Sequence, residues 1–120
     1  MIRYARPEDI DILVQNDTHV DKAEMLNLIN LDRVYIMEDD GRFIGWLRYN
    51  LFWDHIPFMN MICLNDSERG KGYASRLIRA VCAAEAARHN SVQLFCDPSL
   101  EPFYSKLGFA VIGKAAELTI

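Results

Sequence analysis

The chain has 120 residues, 51% hydrophobic and 25% charged, a balance that excludes a disordered chain and leaves room for about one domain. Thirteen basic residues against seventeen acidic ones give a net charge of −4, so no cationic excess is available for nucleic-acid phosphates. The opening MIRYARPED has no apolar leader core and no run approaches 18 apolar residues, so a cytoplasmic protein without a membrane span is expected.

In chain order, residues 2–5 (IRYA) suit a short strand. Pro7 opens a helix whose apolar face is Ile10, Leu13 and Val14, with Glu8 and Asp9 at its positive end. A second helix fits 21–31, capped by Asp21, with Met25, Leu28 and Ile29 at helical spacing. The period then drops to two. Residues 33–39 and 42–53 are strands joined through Asp40-Gly41, a pair suited to a two-residue hairpin turn. A turn at WDHIP leads to FMNMICL (58–64), apolar on both faces and therefore central in a covered sheet. A helix over about 72–88 carries Ala74, Leu77, Ile78, Val81 and Cys82 on one side. SVQLFC (91–96) is a strand, 98–108 holds a short helix ended by Gly108, and FAVIG with AAELTI suits a final hairpin. The expected order is β-α-α-β-β-β-α-β-α-β-β, a single mixed α/β domain over residues 1–120.

Cys63, Cys82 and Cys96 lie in apolar segments without paired metal-ligand spacing and are expected as buried free thiols, so no metal is expected. The cluster Trp46, Tyr49, Phe52, Trp53 and Phe58 reads as sheet core, with an acceptor cage as the alternative. His89 reads as a partner for the negative end of the long helix.

The chemistry concentrates in SERGKGYASRL (67–77), a glycine-rich turn between a buried strand and a helix start. Free backbone N–H groups there, aligned with the positive helix end, favour an anion, and glycine removes the Cβ that would block it. A P-loop is excluded because Gly72 is followed by Tyr73 rather than lysine and a hydroxyl residue. A GxGxxG dinucleotide turn is excluded because Arg76 and Leu77 stand where a third small residue is needed.

The run Arg69-Gly70-Lys71-Gly72-Tyr73-Ala74 resembles the Q/R-x-x-G-x-G/A pyrophosphate loop of GNAT-type N-acetyltransferases. DPSLEPFYSKLGF (97–109) resembles that family's second block, with Phe103, Tyr104, Gly108 and Phe109 in register, but Asp97 and Leu100 replace its usual asparagine and alanine. The resemblance implies a mostly antiparallel mixed sheet with helices on both faces. It also implies acetyl-CoA as co-substrate, with its pyrophosphate on the amides of Arg69 to Ser75. Its pantetheine arm would lie along Ile62, Cys63 and Leu64, where the central strand splays from SVQLFC, and Asp97, Phe103 and Tyr104 would flank it. The implied reaction is acetyl transfer to a primary amine of a small molecule or peptide, through direct attack and a tetrahedral intermediate. Ile62 N–H would be the oxyanion donor and Tyr104 the acid that protonates the departing thiolate.

Several relatives place a glutamate base four residues before the oxyanion donor; here that residue is Phe58. Asp54 and His55 lie seven or eight residues from Ile62, about 20–25 Å along an extended strand. His19 and Glu24 flank the acceptor side in the resemblance. Counting back through WDHIP sets Tyr49 opposite Ile62 with Asn60 nearby, where either could hold a proton-carrying water. The other reading is a non-catalytic acyl-CoA-binding module of the same fold. The expected partners are acetyl-CoA and an amine acceptor, with the chain as monomer or homodimer.

Overall fold

Asp40 and Gly41 both take positive φ (50° and 74°), the twist of a tight hairpin, and so join the two period-two runs as neighbouring strands. The computed structural model describes residues 1–120. Its elements are β1 (Ile2–Tyr4), α1 (Ile10–Asn16), α2 (Lys22–Asn30), β2 (Val34–Asp39), β3 (Arg42–Phe52), β4 (Ile56–Leu64), α3 (Tyr73–Glu85), β5 (Gln93–Leu94) and α4 (Glu101–Lys106). The five strands form one sheet in sequence order, antiparallel throughout except for the parallel β4–β5 pair.

Alternation along the strands divides the core in two. Val34, Ile36 and Trp46 face Leu13, Met25, Leu28 and Ile29 of α1 and α2. Tyr35, Met37, Leu47, Tyr49 and Met59 point the other way onto Leu77, Ile78 and Val81 of α3, with α4 packed at the margin of that layer. Each face is thus sealed by a helical stripe, which lets a 120-residue chain bury both sides of its central strands.

The expected sheet and its helices are present, with the order β-α-α-β-β-β-α-β-α. The final hairpin is not. Residues 109–120 form no strand, and Val111, Ile112, Leu118 and Ile120 are exposed. The expected partner SVQLFC pairs over only Gln93–Leu94, which is too short a ladder to template further strands, and an isolated hairpin is marginal in water. Gly108, at φ +97°, ends α4 as expected. Cys63 and Cys82 are half-buried, but Cys96 is exposed because β5 has ended before it. Phe52 and Trp53 also leave the expected core, since the hairpin tip runs beyond the helices that cover the sheet. No helix is long and apolar enough to cross a membrane.

Candidate active site

The two halves of β4 differ in their partners. Phe58 and Met59 pair with Gln93 and Leu94 of β5 on one side and with Asn50 and Tyr49 of β3 on the other. Beyond Met59 β5 ends, and residues 60–64 keep only β3. Asn65 N–H donates to the Ile44 carbonyl across this β3 edge. Polar backbone groups alternate along a strand, so Cys63 faces β3 while Ile62 and Leu64 aim their N–H and C=O groups at the slot β5 vacates. A register shift beside Asn60 marks the junction, the kind of irregularity that ends pairing next to functional sites.

The glycine-rich turn sits at the mouth of the same slot. Gly70 and Gly72 hold φ of +78° and +81°, and a Cβ on either would meet no protein atom within 4 Å. The glycines are therefore required by backbone conformation and leave open space above the loop. Gly72 caps α3 in the left-handed conformation without a side-chain cap. From Gly70 to Ser75, no backbone N–H has a protein acceptor, so six consecutive donors stand at the positive end of a 13-residue helix. Beneath the loop, buried Glu68 receives Arg42 at 2.9 Å and Lys71 at 3.5 Å. That pins the loop to β3 and turns the Lys71 ammonium toward the protein. Arg69 stays exposed, 3.4 Å from Asp66. A cavity of about 240 Å³ adjoins the loop between Asn16, Trp46, Cys63, Leu64 and Arg69.

On the other side, Asp97 accepts from Ser99 N–H at 2.9 Å and starts the turn into α4. That bond holds its carboxyl below the usual carboxylate range. Phe103 and Tyr104 stack edge to face at 5.0 Å, and Tyr104 meets Phe109 the same way. Burial pushes the Tyr104 hydroxyl up, and nearby Cys96 adds to the shift, so Tyr104 stays protonated at neutral pH. The hydroxyl has no protein hydrogen-bond partner and is free to serve a ligand.

The residues expected around an acceptor separate. Tyr49 faces Met59, while Ile62 faces Leu47. Its side chain is buried on the α3 face, so Tyr49 leaves the candidate set. The misplacement comes from the tight 53–55 turn, which sets Phe52 opposite Ile56; the bulge residue in β4 recovers only one position of the difference. Asn60 is that exposed bulge residue. His19 is exposed, with Nδ1 3.7 Å from Asp17, and Glu24 is exposed in the first turn of α2. Asp54 and His55 lie at the other end of β4, in a larger cavity of about 350 Å³ with Arg88 and His89. No motif residue borders that cavity. His89 bridges the His55 carbonyl at 3.0 Å and Glu85 at 3.5 Å, one turn past the end of α3.

Besides Glu68, two more buried carboxylates escape a sequence reading. Asp17, 1% exposed, accepts from Arg48 Nε at 2.7 Å and Trp46 Nε1 at 3.0 Å, fastening the α1–α2 loop to β3. Burial raises its carboxyl, but the hydrogen bonds from Arg48 and Trp46, with His19 N–H, together outweigh it and hold the group below the usual range. Glu85, fully buried, accepts from Tyr35 at 2.9 Å and Arg88 at 3.2 Å. Only Glu85 had a sequence signal, since it falls on the Ile78–Val81 stripe of α3.

A family profile described as "Acetyltransferase (GNAT) domain" matches residues 30–111. No curated protein matches the chain in sequence. Among solved structures, AAC(6')-Iy in complex with the bisubstrate analog CoA-S-monomethyl-acetylneamine superposes with a TM-score of 0.78 at 18% identity, covering 100% of this chain and 97% of that one. The aminoglycoside antibiotic 6'-N-acetyltransferase AAC(6')-IG from Acinetobacter haemolyticus gives 0.73 at 18% identity, with 100% and 97% covered. A predicted acetyltransferase from Clostridium acetobutylicum, crystallised with acetyl-CoA, gives 0.70 at 20% identity, with 99% and 95% covered. At these identities the superpositions establish a shared fold.

Proposed function

The chain belongs to the GNAT acetyltransferase family, and from that premise we propose that it transfers the acetyl group of acetyl-CoA to a primary amine. One observation carries this reading: the six acceptor-free N–H groups of residues 70–75 open onto the same slot as the unpaired edge of β4. The loop suits a pyrophosphate, and the strand edge suits an arm bearing amides, which can bond to main chain as an added strand does.

Acetyl-CoA supplies an activated thioester when bound. The chain's own groups do the rest. Ile62 N–H is directed where negative charge develops on the acetyl oxygen, a donor worth roughly 3–4 kcal/mol in such a position. The amine lone pair would form the new N–C bond first, and the C–S bond would break as the tetrahedral oxyanion collapses. Tyr104 gives its proton to the departing sulfur and regains one from solvent. The acceptor's own proton leaves to water, because Phe58 packs among Phe52 and Phe95 and β4 offers no carboxylate.

That same aromatic packing at position 58 favours the second reading, a fold that binds acyl-CoA without turnover. Thiol release from acetyl-CoA, followed with a mixed panel of primary amines, separates the two. Amine-dependent release supports transfer. Calorimetric binding of acetyl-CoA without release supports the module, and absence of both removes the site assignment.

A further inference from the structure

Phe52, Trp53, Phe58 and Phe95 form a continuous aromatic wall, with ring centroids 5.1 Å apart for Phe52–Trp53, 5.8 Å for Phe52–Phe58 and 4.8 Å for Phe58–Phe95. The wall is open: Trp53 is 72% and Phe95 69% exposed, and no helix or terminal segment covers them. Trp53 and the following Asp54 both hold positive φ (51° and 64°), the twist of a tight hairpin, so the indole sits at the tip of the β3–β4 turn. A contiguous exposed aromatic patch marks a contact surface more often than a solvated face.

Its location ties it to the slot. Phe58 pairs across the sheet with Asn50, and this face is shared by Arg48, so the rings lie on the α1–α2 side of the sheet. Phe58 is also paired with Gln93, one step before β5 ends and the slot opens, about 13 Å from Ile62 along the strand. Ile62 itself packs on the α3 face, so an amine that attacks from the α1–α2 side of the slot would project its body along this face toward the rings.

Charge on the same face narrows the body. Arg33 bonds to Asn50 at 3.2 Å and has no carboxylate partner, and Arg48 is present too. The buried carboxylate of that face, Asp17, is taken by Arg48 and Trp46. Asp54 opens instead into the cavity with Arg88 and His89. A polycationic acceptor would meet an unpaired guanidinium and no free buried carboxylate. A monoamine on a flat apolar body would stack on the wall. Resting on the acetyl-transfer reading above, we infer that the acceptor is an arylalkylamine-type monoamine, a primary amine joined by a short chain to an aromatic group, and that Phe58 and Phe95 set this specificity.

The test compares 2-phenylethylamine, propylamine and sisomicin as acceptors by thiol release, in the parent and in Phe95→Ala. Phe95 is exposed, so its truncation leaves the core intact. The expected result is a kcat/KM for 2-phenylethylamine at least tenfold above the other two. Phe95→Ala should erase about tenfold of that preference through KM, in line with one aromatic contact, while the KM for acetyl-CoA holds. Preference for sisomicin, or a preference unchanged in Phe95→Ala, overturns the inference and leaves acetyl transfer standing. If no amine releases thiol, calorimetric binding of 2-phenylethylamine to the CoA-saturated protein decides: binding lost in Phe95→Ala supports the wall, and no binding in the parent overturns it. Concentration-dependent self-association abolished by Phe95→Ala assigns the wall to a second copy of the chain and also overturns it.

Discussion

The inner half of β4, Ile56–Met59, and its outer half, from Asn60 on, are built from similar apolar residues yet end in opposite conditions. The inner half gains β5 at Phe58 and Met59, and Met59 is buried in the α3-face core. The outer half keeps β3 alone and leaves every residue from Met61 to Leu64 half-buried. The difference comes from the neighbour, not from β4. Because β5 stops after two residues, a strand of core composition acquires a free polar edge beside a loop of free amides. A site made this way depends little on side-chain identity and strongly on what keeps the slot's walls in place.

Removing a wall should have the largest effect. Asp17→Asn leaves Arg48 buried without its counter-charge, and loss of about 3–5 kcal/mol of stability is expected by denaturant titration. The pH dependence has a definite sign. The folded Asp17 carboxyl lies below its unfolded value of about 3.9, so its contribution is complete above that pH and is lost as pH falls through the lowered value. Asp17→Asn should therefore flatten the acid limb of the stability profile.

Closing in on the outer half itself, Gly45→Ala places a Cβ against the Cys63 carbonyl oxygen and 2.7 Å from the Leu64 side chain. β3 must then separate from the free half of β4. A cost near 3 kcal/mol is expected, read as a lowered Tm, together with weakened acetyl-CoA binding. The matched change at Gly72 meets no atom, which makes the pair a direct contrast between a glycine needed for packing and one needed for conformation.

Tyr104→Phe removes one hydroxyl and keeps the ring contacts with Phe103 and Phe109. The rate should fall about 10²-fold with acetyl-CoA affinity nearly unchanged, as measured by thiol release and calorimetry. A variant as fast as the parent would leave Tyr104 as a packing residue. Gly72→Ala should act least, costing about tenfold in acetyl-CoA affinity through the strained φ of +81° in a protein that stays folded.

What the sequence revealed and what it hid divide along physical lines. The loop was legible because positive φ, a helix start and an upstream apolar strand are all local, and residues 69–75 carry them in one run. The register of β3 on β4 was not, because a bulge beside Asn60 leaves no mark in a pattern of apolar residues. The tight 53–55 turn also sets Tyr49 opposite Met59, two residues along the same α3 face from Leu47, which faces Ile62. Asp17 was hidden because its partners lie 29 and 31 positions away. The expected final hairpin failed for a related reason: FAVIG and AAELTI have strand composition, but composition does not supply a neighbour. Phe52 and Trp53 were read as core on the same ground.

The central claim is that the outer half of β4 and the start of α3 form one ligand surface. Backbone-amide NMR during an acetyl-CoA titration tests it most directly. The account predicts that the amides of Ile62, Leu64 and residues 70–75 shift together along one binding curve, while those of β1 and β2 remain still. Shifts gathered instead around residues 54–56 and 88–91, in the larger cavity at the far end of β4, would contradict it.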